Sequence, residues 1–229
     1  MSVLENLAEQ AKGCELCPLA LQGRTQVVFG DGNPRAGIMF IGEGPGFYED
    51  KQGKPFVGAA GKLLTQLLES IGLKREDVYI TNVVKCRPPQ NRDPKPDEIE
   101  TCTGRYLFAQ IEAIEPKVIA TLGRFASSVI LGRKDVSMGR VHGQKFIKDG
   151  RLVVPIYHPA AALHSRANME PLSEDFRSLR RYLDEKAQEE NVQKEKARAE
   201  RSGAGAGSDG VESETGEGAG VPAEQLGLF

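Results

Sequence analysis

Four near-continuous apolar runs, each followed by a helical pattern or a Gly/Pro-rich turn, constrain this chain more than any other feature. They are "AGIMFIGEG", "DVYITNVVKC", "PKVIATLG" and "RLVVPIYHP". Runs this short, rich in β-branched residues and unbroken by polar alternation, are strands buried on both faces. Between them lie stretches of helical periodicity. Parallel neighbours need long crossovers, usually helical, so this alternation predicts an α/β layered fold around a mainly parallel sheet.

The helices announce their ends. Ser2 and Glu5 form a capping box in "SVLE", with Leu4, Leu7 and Ala8 on one face of the helix it starts. "AAGKLLTQLLESIG" is amphipathic and stopped by Gly72. "PDEIETCTGRYLFAQIEAI" reads as one helix with acids in its first turn, where they suit the dipole. "RFASSVIL" is a further helix, "GQKFIKDGRLVVPIYHP" a strand pair, and "PLSEDFRSLRRYLDEKAQEE" a closing helix. Pro88, Pro89, Pro94 and Pro96 impose an irregular, partly rigid loop after the second strand.

Charge separates a body from a tail. Residues 184–229 hold 5 Lys/Arg and 11 Asp/Glu, a net of −6, which leaves +4 on residues 1–183 from the chain's total of −2. A mildly basic body suits nucleic acid or simply a mixed solvated surface. "RSGAGAGSDGVESETGEGAG" is too polar and Gly-rich to offset chain entropy and reads as disordered, yet it runs into an apolar "AEQLGLF". No run approaches a membrane-spanning length, and a charged-then-apolar leader is lacking, so the expectation is a cytosolic protein.

All four cysteines belong to one pattern: Cys14 and Cys17 in a C-x2-C pair, then Cys86 and Cys102 beside predicted elements. The cytosolic expectation disfavours disulfides. Buried free thiols, a zinc site and a 4Fe–4S cluster remain. Zinc ribbons favour two short knuckles, and the second pair is too widely spaced for one.

Open α/β sheets bind ligands beyond the carboxyl ends of their strands. Three polar residues stand there: Glu43 after the first strand, Asn82 near the end of the second, and His158 after the last. The Gly-rich segment "GEGPGFYEDKQGKPFVGAAGKLL" follows the first strand and contains Gly42, Gly44, Glu49, Asp50 and Phe56. Its carboxylates would repel a phosphate, the usual ligand of such turns. Asn presents an acceptor and two donors in one plane, Phe56 a face for a planar heterocycle, and His158 a donor for an oxyanion on a leaving ring. Glu43 or Glu49 can orient a water. Singly each residue has a duller reading as a dipole partner, a turn amide or a loop cap; together they describe a base-binding pocket with hydrolytic capability.

With "TNVVKCRPPQNR" and "HPAA" added to that segment, residues 1–182 resemble the family 4 uracil-DNA glycosylases, the iron–sulfur, thermostable type. The resemblance implies the three-layer α/β/α sandwich of the uracil-DNA glycosylase superfamily. It implies a 4Fe–4S cluster on Cys14, Cys17, Cys86 and Cys102, and uracil excision from DNA that leaves an abasic site without lyase cleavage. In that reading Gly42 and Gly44 border the uracil, Phe56 stacks on it, Asn82 reads its polar edge, and His158 bonds O2. Glu43 and Glu49 are the acids nearest the attacking water, and Leu163 is the candidate wedge for the gap left by the flipped base. Two departures stand out: Gly44 replaces the water-positioning Asp of better-studied relatives, and Phe47 and Tyr48 stand where some members carry acids. The competing readings are a non-hydrolytic or covalently trapping uracil-DNA binder of the same superfamily, and a nucleotide-binding redox protein.

Gln225, Leu226, Leu228 and Phe229 resemble the pentapeptide that binds the bacterial sliding clamp. A Gly-rich tether over residues 202–224 has a reach of about 25 Å by random-coil scaling. The expected organisation is therefore a glycosylase domain over 1–183, a helix extension and disordered acidic tail over 184–224, and a clamp motif over 225–229. The expected partners are uracil-containing DNA and a bacterial clamp, for a monomeric protein of the bacterial cytosol and nucleoid with no membrane contact.

Overall fold

The computed structural model describes residues 1–203; the acidic Gly-rich tail and the motif at Gln225, Leu226, Leu228 and Phe229 lie outside the described residues. Residues 1–186 form one compact unit. Its six strands are β1 (Asp31–Gly32), β2 (Ile38–Gly42), β3 (Tyr79–Asn82), β4 (Val118–Leu122), β5 (Phe146–Lys148) and β6 (Arg151–Ile156). They form one sheet in the order β1-β3-β2-β4-β6-β5. The inner four are parallel, and the short edge strands β1 and β5 pair antiparallel.

The helices follow the strands as the sequence pattern requires. They are α1 (Val3–Lys12), α2 (Phe47–Gln52), α3 (Ala59–Ser70), α4 (Pro96–Cys102), α5 (Phe108–Ile114), α6 (Arg124–Leu131), α7 (Met138–Val141), α8 (Pro159–His164) and α9 (Met169–Gly203). Both halves of the Ser2–Glu5 capping box are formed.

Side chains alternate across the sheet and build one core on each face. Ile38 and Phe40 face Leu64 and Leu68 of α3 and Phe176 of α9, where Phe40 and Phe176 stack at 6.1 Å. Met39 and Ile41 face the opposite layer, with Ile111 and Ile114 of α5 and Ala126 and Ile130 of α6. The α/β/α sandwich with a mainly parallel sheet is thus the architecture observed.

Two local expectations need correction. The long helix expected over residues 96–114 is α4 and α5 joined by a π-helical turn at Thr103–Leu107, immediately after Cys102. The extra residue of a π turn re-aims the side chains around it. The second strand ends at Asn82 rather than near Cys86; beyond it the backbone bonds to the last residue of β2 and the one that follows, Val83 N donating to Gly42 O at 2.9 Å and Val84 N to Glu43 O at 3.0 Å. The closing helix runs as α9 to Gly203.

Candidate functional site

The parallel strands end in register, so their carboxyl ends build one wall. Gly42 pairs with Asn82 and Leu122 with Ile156. Glu43, Asn82 and His158 are thereby brought to a single cleft of about 420 Å³, which Gly44, Glu49 and Phe56 also line. That volume is within the range of small-molecule sites. Pro45, Gly46, Pro88, Asn91, Arg92 and His164 complete the rim. Leu163 does not line the cleft; it is half-exposed on α8, between lining residues Ala160 and His164.

Gly44 lines the cleft, and Gly42 stands against the side chains that do. A Cβ on Gly42 would stand 2.5 Å from Asn82 Oδ1 and 2.6 Å from Phe56 Cζ. On Gly44 it would stand 2.8 Å from Val84 Cγ2. The segment is Gly-rich because the site's own side chains occupy the space. Gly61 does the same for backbone: its Cβ would meet Phe56 O at 1.9 Å.

Phe56 is held in a conformation that a bulky residue rarely adopts, with φ of 53°. Arg75 holds it there, its guanidinium donating to Phe56 O at 3.0 Å and to Pro55 O. The ring is buried beside His158, centroids 5.7 Å apart and tilted by 33°.

Asn82 is buried, and its Oδ1 is the one buried side-chain nitrogen or oxygen without a hydrogen-bond partner among the described residues. Buried polar groups are nearly always satisfied, so an orphan in a cleft wall marks where a ligand donor belongs. Its backbone is fixed from behind. Lys85, buried, donates from Nζ to Asn82 O and to Thr81 Oγ1, each at 2.7 Å.

His158 caps α8, and its Nδ1 accepts from Ala160 N at 3.2 Å. Burial, opposed by the Glu49 carboxylate, lowers its pKa to about 4. The ring is therefore neutral at pH 7, and with Nδ1 occupied as an acceptor its proton is on Nε2. Behind it, buried Asp175 accepts from Tyr157 N at 3.0 Å and bonds His142 Nδ1 at 2.7 Å. Asp175, Arg75 and Lys85 were missed from sequence, since only their tertiary neighbours reveal what they hold.

The two glutamates diverge. Glu49 Oε1 accepts from Val57 N and Gly58 N, each at 2.9 Å, tying α2 to the start of α3. Burial, reinforced by Asp93 and opposed by Arg124, pushes Glu43 up to about 7. Asp50 is an anchor as well: it accepts from Thr25 N at 2.8 and 3.0 Å.

Cys14, Cys17, Cys86 and Cys102 line a second, small cavity between the segment after α1, the β3–α4 loop, the end of α4 and the π turn, and none of the four is in a disulfide. Among the described residues no three His, Cys, Asp or Glu side chains are grouped as ligands of one metal ion. Arg24 Nη1 donates to Cys86 Sγ at 3.1 Å and Lys85 N to Cys102 Sγ at 3.3 Å.

Residues 29–184 match the family described as the uracil DNA glycosylase superfamily. The chain is 50% identical to the type-4 uracil-DNA glycosylase of Sulfurisphaera tokodaii, over 79% of this chain and 84% of the relative. It is 51% identical to the type-4 uracil-DNA glycosylase of Thermotoga maritima, over 72% and 86%. Against the type-5 uracil-DNA glycosylase of Thermus thermophilus identity falls to 30%, over 67% and 85%. With residues 29–184 matched to the family and about half of the aligned residues identical to those of type-4 relatives, this chain belongs to the uracil-DNA glycosylase superfamily, in its type-4 branch.

Proposed function

We propose that this protein is a DNA glycosylase that hydrolyses the N-glycosidic bond of a flipped-out deoxyuridine, releasing uracil and leaving an abasic site without strand cleavage. The observation that carries the reading is the orphaned Asn82 Oδ1 in the cleft wall. Uracil N3–H is a donor that satisfies it, while the Asn82 amide N–H₂ donates to O4. Cytosine offers an acceptor at N3 and a donor at the 4-position, so the same amide is left mispaired. Sites built on buried hydrogen bonds reject such analogues strongly.

The chemistry follows from the groups around that amide. A base taken out of the stack enters the cleft and packs on Phe56. As the bond between C1′ and N1 breaks, its electron pair moves onto the ring, and charge collects at O2. Neutral His158 donates Nε2–H to that oxygen. Water adds to C1′ and gives its proton to Glu43, whose carboxylate is suited by its raised pKa to accept it near neutral pH. Glu49, engaged by two backbone amides, orients the loop instead. Single-turnover release of free uracil from a uracil-containing oligonucleotide is the test, with Asn82→Ala and His158→Ala alongside. Release that collapses in both variants supports the reading. Tight uracil-dependent binding without release would move the protein to the non-hydrolytic or trapping class.

The four cysteines fit a 4Fe–4S cluster. They surround one cavity without clustering as ligands of a single ion, and Arg24 and Lys85 supply sulfur-directed donors of the kind that tune such sites. Bound there, the cluster would supply a structural link between α1, the loop carrying Pro88 and the sheet. Anaerobically purified protein should be brown and carry about four irons per chain, with Cys86→Ser lowering that number; colourless, iron-free protein would refute the assignment.

The resemblance of Gln225, Leu226, Leu228 and Phe229 to a bacterial clamp-binding peptide supports a further role for the tail, with the enzyme working in the bacterial cytosol beside replicating DNA. Deleting Gln225 to Phe229 should abolish clamp pull-down and leave uracil release from free oligonucleotides intact. Unchanged pull-down would remove the clamp from the account.

A further inference from the structure

Two large aromatics stand exposed at the lip of the cleft. Phe47 is 47% and Tyr48 60% exposed, with Phe108 at 46% the next most exposed aromatic among the described residues. They lie between Gly46 and Glu49, both of which line the cleft, so at 3.8 Å per residue they are one to two residues from its edge. Their rings meet edge to face at 5.4 Å and 84°. Cations lie over the Phe47 ring: Arg87 Cζ is 5.1 Å and Lys51 Nζ 5.8 Å from its centroid. Arg87 is in turn braced by Asn91, whose Oδ1 accepts from its Nε at 2.7 Å, and Asn91 is itself a cleft residue.

None of the steps in the cleft uses these four side chains. The pair gains little by packing against each other, and water covers about half of each. Aromatic faces flanked by arginine or lysine are how proteins hold unpaired nucleotides: the ring stacks on a base and the cation meets the phosphate. A strand that delivers one nucleotide into the cleft must place the next one at its lip, because the backbone is continuous.

We propose that Phe47 and Tyr48 form a stacking subsite for the nucleobase adjacent to the flipped deoxyuridine in unpaired DNA, with Arg87 and Lys51 meeting the intervening phosphate. This rests on the glycosylase reading above. In a duplex the neighbouring base stays paired and stacked and is not available to the rings. The subsite therefore favours single-stranded substrates, or a neighbour unpaired by the flip.

The test perturbs substrate and protein independently. Wild-type protein is given single-stranded oligonucleotides in which the nucleotide on the 5′ side of the deoxyuridine, or that on the 3′ side, lacks its base. One of the two should lower kcat/KM about tenfold, equivalent to about 1.4 kcal/mol. The Phe47→Ala/Tyr48→Ala variant should lose about the same factor on the intact single strand and be indifferent to the missing base. Tyr48→Phe should retain stacking, and 2-aminopurine at the sensitive position should be quenched on binding by wild type and not by the double variant. Equal rates on base-flanked and baseless substrates, with uracil still released, would overturn the subsite and leave the glycosylase standing. No uracil release from any substrate would overturn both.

Discussion

Single-turnover uracil release should rise with pH through about 7 and then level off. Glu43 is the group whose titration sets the midpoint, since burial and Asp93 raise it to about 7 against the pull of Arg124. Its carboxylate must be ionised to take the proton of the attacking water. Roughly one-eleventh of the enzyme is then competent at pH 6 and roughly ten-elevenths at pH 8, so the rate should climb about tenfold between them. His158 contributes no inflection in that window. Its pKa of about 4 leaves about one imidazole in a thousand charged at pH 7, and the neutral Nε2–H donor is already in place. The assay is quench-flow release of uracil from a single-stranded oligonucleotide between pH 5.5 and 8.5, in wild type and Glu43→Gln. The variant should be slower by about 10²-fold or more and flat across the range. A wild-type rate flat through pH 7, or an inflection that survives in Glu43→Gln, would refute the assignment of Glu43 as the base. A rate that falls as pH rises through the same range would instead show a protonated group at work.

Three further outcomes are expected. Gly42→Ala places a methyl within 2.6 Å of both Asn82 Oδ1 and Phe56 Cζ, so it should cost about 1–3 kcal/mol of stability and most of the activity; a wild-type melting curve with wild-type turnover would contradict the close approach. Asn82→Asp should weaken uracil excision and admit cytosine, read as free cytosine from a deoxycytidine substrate, and unchanged activity on both bases would remove Asn82 from recognition. Arg75→Ala frees the Phe56 backbone from its strained φ, and uracil release should fall about tenfold with KM rising more than kcat falls. An unchanged KM would show that Phe56 holds its place without the guanidinium.

The residues that organise this molecule differ in how far their neighbours in sequence specify them. The buried strands were legible because a parallel sheet covered on both faces demands continuous apolar runs, and "GIMFIG", "VIATL" and "RLVVPI" supply them. Ser2 and Glu5 were legible because a cap closes within three residues. The ends of the parallel strands follow from topology, which is why the sequence pattern alone gathers Glu43, Asn82 and His158 into one site.

What tertiary structure alone decided lies in contacts made across long separations. The one-residue π excess after Cys102 and the early end of the second strand at Asn82 depend on packing and loop pairing, not on local propensity. Gly42 had to be glycine because Asn82 and Phe56, far from it in the chain, occupy the space its side chain would fill. Arg75 reaches Phe56 from 19 residues away, and Asp175 reaches Tyr157 from 18. The division between the two glutamates was equally invisible in "GEGPGFYED": one carboxylate met two backbone amides, the other met burial and Asp93. Sequence thus determined the sheet, its helices and the residues at its carboxyl edge, since these depend on short-range periodicity and chain direction. Which of those residues is left unsatisfied, which is held under strain and which titrates near neutrality were settled by the fold, because hydrogen bonding and desolvation are set by whatever the chain brings alongside.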